Sequence, residues 1–170
     1  MTRTLLLAIV VAGVVGLGFG CLLKVGWEWN YAKAYAWERP PVVVNCYGKD
    51  FSKSQMVRAI EYWGIRGEKI GMYEHNPPLS LCERDHTYGF IIIRKSNDNV
   101  LPPPTLAATK CWTSVLEIKA AVIRFLPGSF NLLWINEHEL GHALGYSHVK
   151  VDNHIMHPLY DKMGPDFWIP

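Results

Sequence analysis

The sequence lacks both a strong excess of charge and a familiar cysteine motif. Its 170 residues contain 17 basic and 15 acidic side chains, for a formal net charge of +2, so the electrostatic footprint of a nucleic-acid-binding protein is missing. The four cysteines include no C-x-x-C pair, which gives no support to a cysteine zinc knuckle or a thioredoxin-like redox site. No repeat or low-complexity tract occurs. The length fits one domain with appended segments.

One long apolar run is present, at the N-terminus. Residues 4–23 carry no charge and are bracketed by Arg3 and Lys24. A run of this length can cross a bilayer as a helix, so we predict a transmembrane anchor or signal segment within residues 1–24. A cleaved signal peptide and a lipid-anchored Cys21 are the alternatives to an uncleaved anchor.

The segment that follows is rich in aromatic residues. We assign residues 25–40 to a juxtamembrane linker, whose rings either lie at the membrane interface or pack on the domain. The uncleaved anchor, the cleaved signal peptide and the lipid anchor all place the domain at 41–170 outside the cytoplasm. In an oxidising compartment two of three cysteines can pair, and the sequence does not select the pair among Cys46, Cys82 and Cys111.

Alternating secondary structure is predicted for the domain. Short β-branched or apolar runs indicate strands, namely "VVVNCYG", "KIGMYEH", "GFIIIRKS", "TLAATKCWTS" and "EIKAAVIRFL", of which the last also fits a helix. Helical spacing predicts one helix over "SQMVRAIEYWGI", capped by Ser52 or Ser54, and another over "FNLLWINEHELGHAL", capped by Ser129. The segment "NPPLSLCERDHTY" is predicted to be a loop. This order indicates an α+β or α/β sheet with two long helices.

The second helix carries candidate zinc ligands. His138 and His142 are four residues apart and therefore share a helix face, so both imidazoles can reach one ion. Glu139 is displaced by one residue, where its carboxylate can take a proton from a water that zinc activates. Gly145 can end the helix in the left-handed conformation, which allows His148 to approach as a third ligand.

The segment "HELGHALGYSH" matches H-E-x-x-H-x-x-G-x-x-H, and "HIMHPLY" follows it. The sequence resembles the metzincin zinc peptidases and is most similar to the matrixins, because Met156 lies eight residues after His148. The resemblance implies an α+β fold with a twisted, mostly parallel mixed sheet and two long helices. It also implies a zinc cleft between an upper subdomain and a very short C-terminal subdomain, with Met156 in a Met-turn beneath the metal. Residues expected to form the pocket wall are His157, Pro158, Leu159 and Tyr160.

Several positions depart from the matrixin pattern. Val149 stands where matrixins commonly have Ser or Thr, and no latency cysteine precedes the domain. A glycine- and aspartate-rich loop for structural metals is missing, so we expect one catalytic Zn²⁺ and find no support for structural Zn²⁺ or Ca²⁺. The remaining histidines and one aspartate are expected to be ordinary or exposed loop residues: His75, Asp85, His86, His154 and His157.

The resemblance implies a zinc-dependent endopeptidase with Glu139 as general base. Its substrates would be proteins or peptides that lie extended along an edge strand, "TLAATKCWT". Membrane contact is expected through residues 4–23, and no nucleic-acid partner is expected. Two other functions remain open: an anchored zinc-binding interaction module without hydrolysis, and a metal-dependent amidase that acts on cell-wall material. The sequence does not indicate the oligomeric state.

Overall fold

A computed structural model describes residues 33–97 and 99–168, which fold around one six-stranded sheet. This architecture confirms the predicted α+β fold with a mostly parallel mixed sheet and two long helices. The strands are β1 (Ala36–Trp37), β2 (Val42–Asn45), β3 (Met72–Glu74), β4 (Phe90–Lys95), β5 (Ala107–Ser114) and β6 (Glu117–Phe125). The helices are α1 (Lys53–Ile65), α2 (Leu79–Cys82) and α3 (Ile135–Ala143), and short 3-10 turns occupy Ser129–Asn131 and Tyr160–Lys162.

Four parallel strands lie side by side in the order β3, β2, β4, β6. The short strand β1 also runs parallel to β6 and pairs with the beginning of it. Strand β5 pairs antiparallel with β6, and it pairs with no other strand among those described. The segment "EIKAAVIRFL", which also fits a helix, is therefore a strand, and β5 leaves one edge of its backbone unpaired.

Both faces of the sheet are buried, which explains the continuous apolar runs of the parallel strands. Successive side chains of a strand point to opposite faces. Ile91 and Ile93 pack with α1 and α3 in the larger core, whereas Ile92 packs on the other face with Val44 and Val122. The larger core thus holds α3 against the sheet and fixes the position of the histidine-bearing helix.

Helix α1 begins where its sequence predicts. Ser52 is the N-cap, and its side chain accepts a hydrogen bond from the Gln55 backbone N–H at 3.4 Å, which satisfies one of the free donors of the first turn. Gly67, at φ +90°, follows the end of the helix. Trp63 is fully buried on the inner face of α1 and contacts the site described below.

Helix α3 begins later than predicted, at Ile135 instead of after Ser129. The Ser129 hydroxyl donates to the Leu126 carbonyl, so Ser129 is not the N-cap of α3. Trp134 precedes the helix in the left-handed conformation, at φ +68°. The physical reason is the burial of Phe130, whose ring packs on Phe51 with centroids 4.9 Å apart and keeps the segment before α3 out of the α-helix.

Helix α2 lies in the segment that was predicted to be a loop, and a disulfide attaches it to the sheet. Cys82 at the end of α2 is bonded to Cys46, which directly follows β2. Cys111 is free. Leu81 of α2 packs on the outer core of the sheet, the smaller cluster formed by Val44, Ile92 and Val122. One of the open pairings is thereby selected, because the short helix brings its cysteine to the carboxyl end of β2.

Removal of this disulfide is expected to destabilise the fold. A bond between cysteines 36 residues apart restricts the unfolded chain, so we expect the double variant Cys46→Ser/Cys82→Ser to lose about 2 to 4 kcal/mol of unfolding free energy. Denaturant unfolding with and without a reductant measures the loss. The parent should weaken on reduction, and the double variant should not respond. Equal stability of the oxidised parent and the variant would contradict this expectation.

The beginning of the described chain packs on the domain. Residues 33–37 belong to the predicted aromatic linker, and within them β1 pairs with β6. Among the described residues, no helix is both long and apolar enough to cross a membrane. The predicted anchor at residues 4–23 lies outside the described residues, as does the rest of the linker before Lys33.

Candidate active site

Three histidines meet at one point. His138 and His142 lie one turn apart on α3, and His148 follows the helix. The Nε2 atom of His142 is 3.1 Å from that of His138 and 3.0 Å from that of His148. One ring nitrogen from each of the three residues lies within 4.8 Å of the other two. We call these three residues the histidine cluster. The structure therefore brings together the three predicted ligands.

The other ring nitrogens fix how these imidazoles are protonated. His138 Nδ1 lies 2.8 Å from the Ile155 carbonyl, and His142 Nδ1 lies 2.8 Å from the Tyr146 carbonyl. A carbonyl oxygen only accepts, so each Nδ1 carries the proton and each Nε2 presents a lone pair to the cluster. Neighbouring lone pairs repel unless a cation lies between them. With nitrogen–zinc distances of about 2.0 to 2.1 Å, tetrahedral ligands lie about 3.3 Å apart, so the donor set fits zinc.

Burial keeps the histidine cluster neutral. Burial, followed by the proximity of His142, lowers the pKa of His138 to about 3. Burial also lowers the pKa of His142 to about 4. The pKa of His148 is lowered by burial and then by the proximity of His157. The unprotonated imidazole is the form that binds a metal, and the lowered pKa of each residue favours this form.

Gly145 permits the turn that brings His148 to the cluster. Its φ of +102° is unfavourable for any other residue type. A Cβ atom at this position would also overlap the carbonyl oxygen of Tyr35 and lie 2.9 Å from its carbonyl carbon. The helix therefore ends here for two reasons, the left-handed backbone and the close passage of the N-terminal chain.

Glu139 lies beside the histidine cluster and is nearly inaccessible, with 4% of its surface exposed. The hydroxyl of Thr109 on β5 donates to Glu139 Oε2 at 2.7 Å. Burial raises the pKa of Glu139 to about 7, and the hydrogen bond from Thr109 opposes this increase. A carboxyl group with a pKa near neutrality, held in a fixed direction, is suited to accept and return a proton.

Met156 lies under the helix that carries the first two histidines. It is fully buried. A Cβ added to Gly141 would lie 2.5 Å from Met156 Sδ and 2.5 Å from Trp63 Cζ2. Gly141 thus permits close packing of α3 on the methionine, and the preceding Ile155 supplies the carbonyl that orients His138. Met156 thus packs against the helix that carries His138 and His142, and its role as a Met-turn stays a prediction.

His154 is buried, with 1% exposed, which corrects the expectation of an exposed loop residue. Its Nδ1 accepts from the Met156 backbone N–H at 3.0 Å, and its Nε2 lies 3.1 Å from the Trp168 carbonyl. The cause is the segment 163–168, which returns beneath the Met-turn. In that segment the Asp166 carbonyl accepts from the Ile155 N–H at 2.7 Å.

His157 is buried as well, with 5% exposed, so the same expectation was wrong for this residue. Its Nδ1 accepts from the Leu159 backbone N–H at 3.0 Å. Its Nε2 lies 3.7 Å from Oδ1 of Asp152. The first contact is made within the loop after Met156, and the second connects that loop to Asp152.

A cleft of about 870 Å³ runs past the histidine cluster. Its lining comes from β5, from α3 and from the segment 158–161. Of the predicted pocket residues, Pro158, Leu159 and Tyr160 line this cleft, whereas the buried His157 does not. Glu139 and the cluster thus lie in a groove that is walled on one side by the unpaired edge strand.

Residues 45–168 match the model of the matrixin family, which is well over half of the chain. The chain belongs to the matrixin family. In a comparison with curated proteins, none matches the chain. Membership of the family implies a zinc metallopeptidase, and the histidine cluster agrees with this implication. The resemblance seen in the sequence is therefore confirmed, and the valine at position 149 does not remove the chain from the family.

The departures from the matrixin pattern have local explanations. The Val149 backbone N–H donates to the Met156 carbonyl at 2.9 Å, a contact that does not depend on the side chain and that Ser or Thr would make equally well. His86 stacks on Trp112, with ring centroids 4.3 Å apart, and His75 contacts the Tyr73 hydroxyl. Within residues 33–97 and 99–168, the histidine cluster is the one group of three metal-ligating side chains found together.

Sequence reasoning missed three hydrogen bonds around this matrixin site, made by Thr109, Arg58 and Trp63. Thr109 lies in a predicted strand, but the alternation of side chains along that strand gave no reason to pair Thr109 with Glu139. Glu137 is fully buried in the first turn of α3 and accepts from Arg58 Nε at 2.7 Å. The Glu137 carbonyl accepts from Trp63 Nε1 at 2.7 Å. An acidic residue at a helix N-terminus is a weak signal, and it does not identify a partner on another helix.

Proposed function

We propose that this matrixin is a zinc endopeptidase that acts outside the cytoplasm on extended segments of proteins or peptides. The observation that carries the proposal is the buried Glu139 carboxylate beside three bare imidazole nitrogens in an open cleft. One catalytic ion is proposed, held by His138, His142 and His148. When bound there, zinc acidifies a water molecule and polarises the carbonyl group to be cleaved.

Glu139 acts as the general acid–base. It accepts a proton from the attacking water and then delivers that proton to the nitrogen of the leaving amine. Because α3 displaces Glu139 by one residue from His138, its carboxylate lies beside the cluster and remains free of ligation. Thr109 directs one carboxylate oxygen by donating to Oε2, which leaves the other oxygen to face the reacting groups.

The unpaired edge of β5 is proposed to hold the substrate. Backbone N–H and C=O groups on a strand edge bind an extended peptide by adding it as a further strand. Residues 107–109 of β5 line the cleft, so a peptide paired there would pass over Glu139. Pro158, Leu159 and Tyr160 are proposed to form the wall of the pocket beyond the cleaved bond.

A peptide blocked at both ends tests the endopeptidase proposal. The full-length chain should cut it internally, with fragments identified by mass spectrometry, because the cleft needs no free terminus. Trimming of unblocked termini alone would contradict the proposal. Zinc binding without any hydrolysis would instead identify an interaction module, and cleavage of cell-wall fragments but not peptides would identify an amidase.

Thr109 is predicted to contribute to the rate through Glu139. A positioned acid–base group contributes about 10²- to 10⁴-fold to the rate, and Thr109 directs the Glu139 carboxylate, so Thr109→Val should lower kcat by about tenfold. KM should change little if substrate binding depends on the strand backbone. The matched variant Thr109→Ser keeps the hydroxyl and should retain most of the rate. Equal kcat values for the valine and serine variants would contradict this role.

The extracytoplasmic location is supported by the Cys46–Cys82 disulfide, since such bonds persist in oxidising compartments. We further propose that residues 4–23 anchor the chain in the membrane. After expression of the full-length chain, the protein should remain with membranes through an alkaline wash, and these two cysteines should resist alkylation until a reductant is added. A chain in the soluble fraction with alkylatable Cys46 and Cys82 would contradict the proposed location.

A further inference from the structure

The end of α3 is held by the beginning of the described chain. Residues 33–37, here called the N-terminal strap, cross the turn at 143–146. Trp37 Nε1 donates to the Ala143 carbonyl at 2.8 Å, and the Ala34 N–H donates to the Gly145 carbonyl at 3.0 Å. Carbonyl groups in the last turn of a helix have no partner within the helix. The strap supplies donors at this point.

A side-chain network makes a second connection between the strap and the same turn. Lys33 Nζ lies 2.5 Å from Glu68 Oε1, and the Tyr146 hydroxyl donates to that same oxygen at 2.5 Å. Lys33 Nζ also lies 5.0 Å from the centroid of the Tyr146 ring. The ring of Tyr146 stacks on Trp63, with centroids 4.8 Å apart. Tyr146 is thereby fixed through its hydroxyl group and through its ring.

This turn positions two of the three proposed zinc ligands. The Tyr146 carbonyl accepts from His142 Nδ1 at 2.8 Å and so directs Nε2 of that residue into the cluster. Gly145 reverses the chain and leads it to His148. A displacement of the turn would therefore move one imidazole directly and rotate another. Ala34 and Tyr35 of the strap also line the cleft that His148 lines.

We propose that the N-terminal strap is a positioning element of the metal centre: it holds the 143–146 turn so that His142 and His148 present their nitrogens to one ion. The inference rests on the proposed function, because it takes the histidine cluster to bind zinc. Trp37 and Lys33 are positioning residues, since neither belongs to the ligand set. Groups that orient a ligand from behind commonly change metal affinity by about 10- to 100-fold when they are removed.

The test compares zinc affinity in the full-length chain and in Trp37→Phe, by competition with a chromophoric chelator. The phenylalanine keeps an aromatic ring in the partly buried site but cannot donate to the Ala143 carbonyl. We expect about tenfold weaker zinc binding. In the cobalt-substituted protein, the visible absorption bands should change because they report the ligand geometry. Trp112→Phe is the matched control, since Trp112 packs on the outer core of the sheet.

Lys33→Met provides a second variant that leaves the tryptophan in place. The Lys33 side chain is 30% exposed, so this variant should fold, and it should release zinc to the chelator faster than the parent. Parent-like zinc affinity and cobalt spectra in both strap variants would overturn the positioning role while leaving the proposed function intact. A parent chain that binds no zinc would overturn both proposals.

Discussion

Replacement of Glu139 with glutamine is expected to lower kcat for peptide hydrolysis by about 10²- to 10⁴-fold, the usual contribution of a positioned acid–base group. Glutamine preserves the size of the side chain and can still contact Thr109, but it cannot accept the proton of the attacking water. Initial rates on an internally quenched peptide measure the loss. Zinc affinity should stay close to that of the parent, because Glu139 is not a ligand.

Glu61→Gln is the matched control for this experiment. Glu61 is exposed on α1, so the same chemical change there should leave the rate unaltered. The strongest evidence against the mechanism would be a Glu139→Gln protein that contains zinc and cleaves the peptide at the parent rate. Such a result would require a different proton acceptor in the cleft.

Gly145→Ala is expected to cause the largest loss of stability of any single substitution considered for this chain. The left-handed backbone at φ +102° costs a residue with a Cβ about 1 to 2 kcal/mol. Overlap of the new Cβ with the Tyr35 carbonyl adds about 1 to 3 kcal/mol. We therefore expect a loss of about 2 to 5 kcal/mol, measured by denaturant unfolding, accompanied by weaker zinc binding.

Gly89→Ala separates these two contributions. Gly89 has a φ of +83°, and a Cβ there would meet nothing within 4 Å. This variant should lose only the backbone contribution, about 1 to 2 kcal/mol, and should bind zinc normally. Equal losses in the two alanine variants would show that contact with the N-terminal strap adds nothing at Gly145.

The sequence predicts the elements whose side chains follow one local pattern. The strands at residues 42–45 and 90–95 were predicted because parallel strands buried on both faces require continuous apolar residues. Ser52 marked the start of α1 because a hydroxyl can accept from the first turn. The histidine cluster was predictable because His138 and His142 share a helix face and Gly145 permits the turn that leads to His148.

Features that depend on distant contacts were not predictable. The start of α3 depends on the burial of Phe130 against Phe51, which no helical periodicity can reveal. The inward turn of His154 depends on a C-terminal segment that returns beneath the Met-turn. The orientation of Glu139 depends on Thr109, thirty residues earlier in the chain, and neither residue carries a local signal for the other.

The Cys46–Cys82 pair lies between these two cases. Composition and the predicted location indicated that two of the three domain cysteines could pair. Selecting the pair required the short helix Leu79–Cys82, which the Pro- and polar-rich sequence around it concealed. The pairing leaves Cys111 on the edge strand, where burial raises the pKa of its thiol to about 11 and keeps it protonated.

The zinc content of the purified full-length chain, measured together with hydrolysis of the internally quenched peptide, tests the central claim most directly. Both quantities are determined before and after dialysis against a chelator and again after zinc is returned. The account predicts one zinc ion per chain, loss of hydrolysis with the metal, and recovery on addition of one equivalent. Undiminished hydrolysis by the zinc-free chain would contradict it.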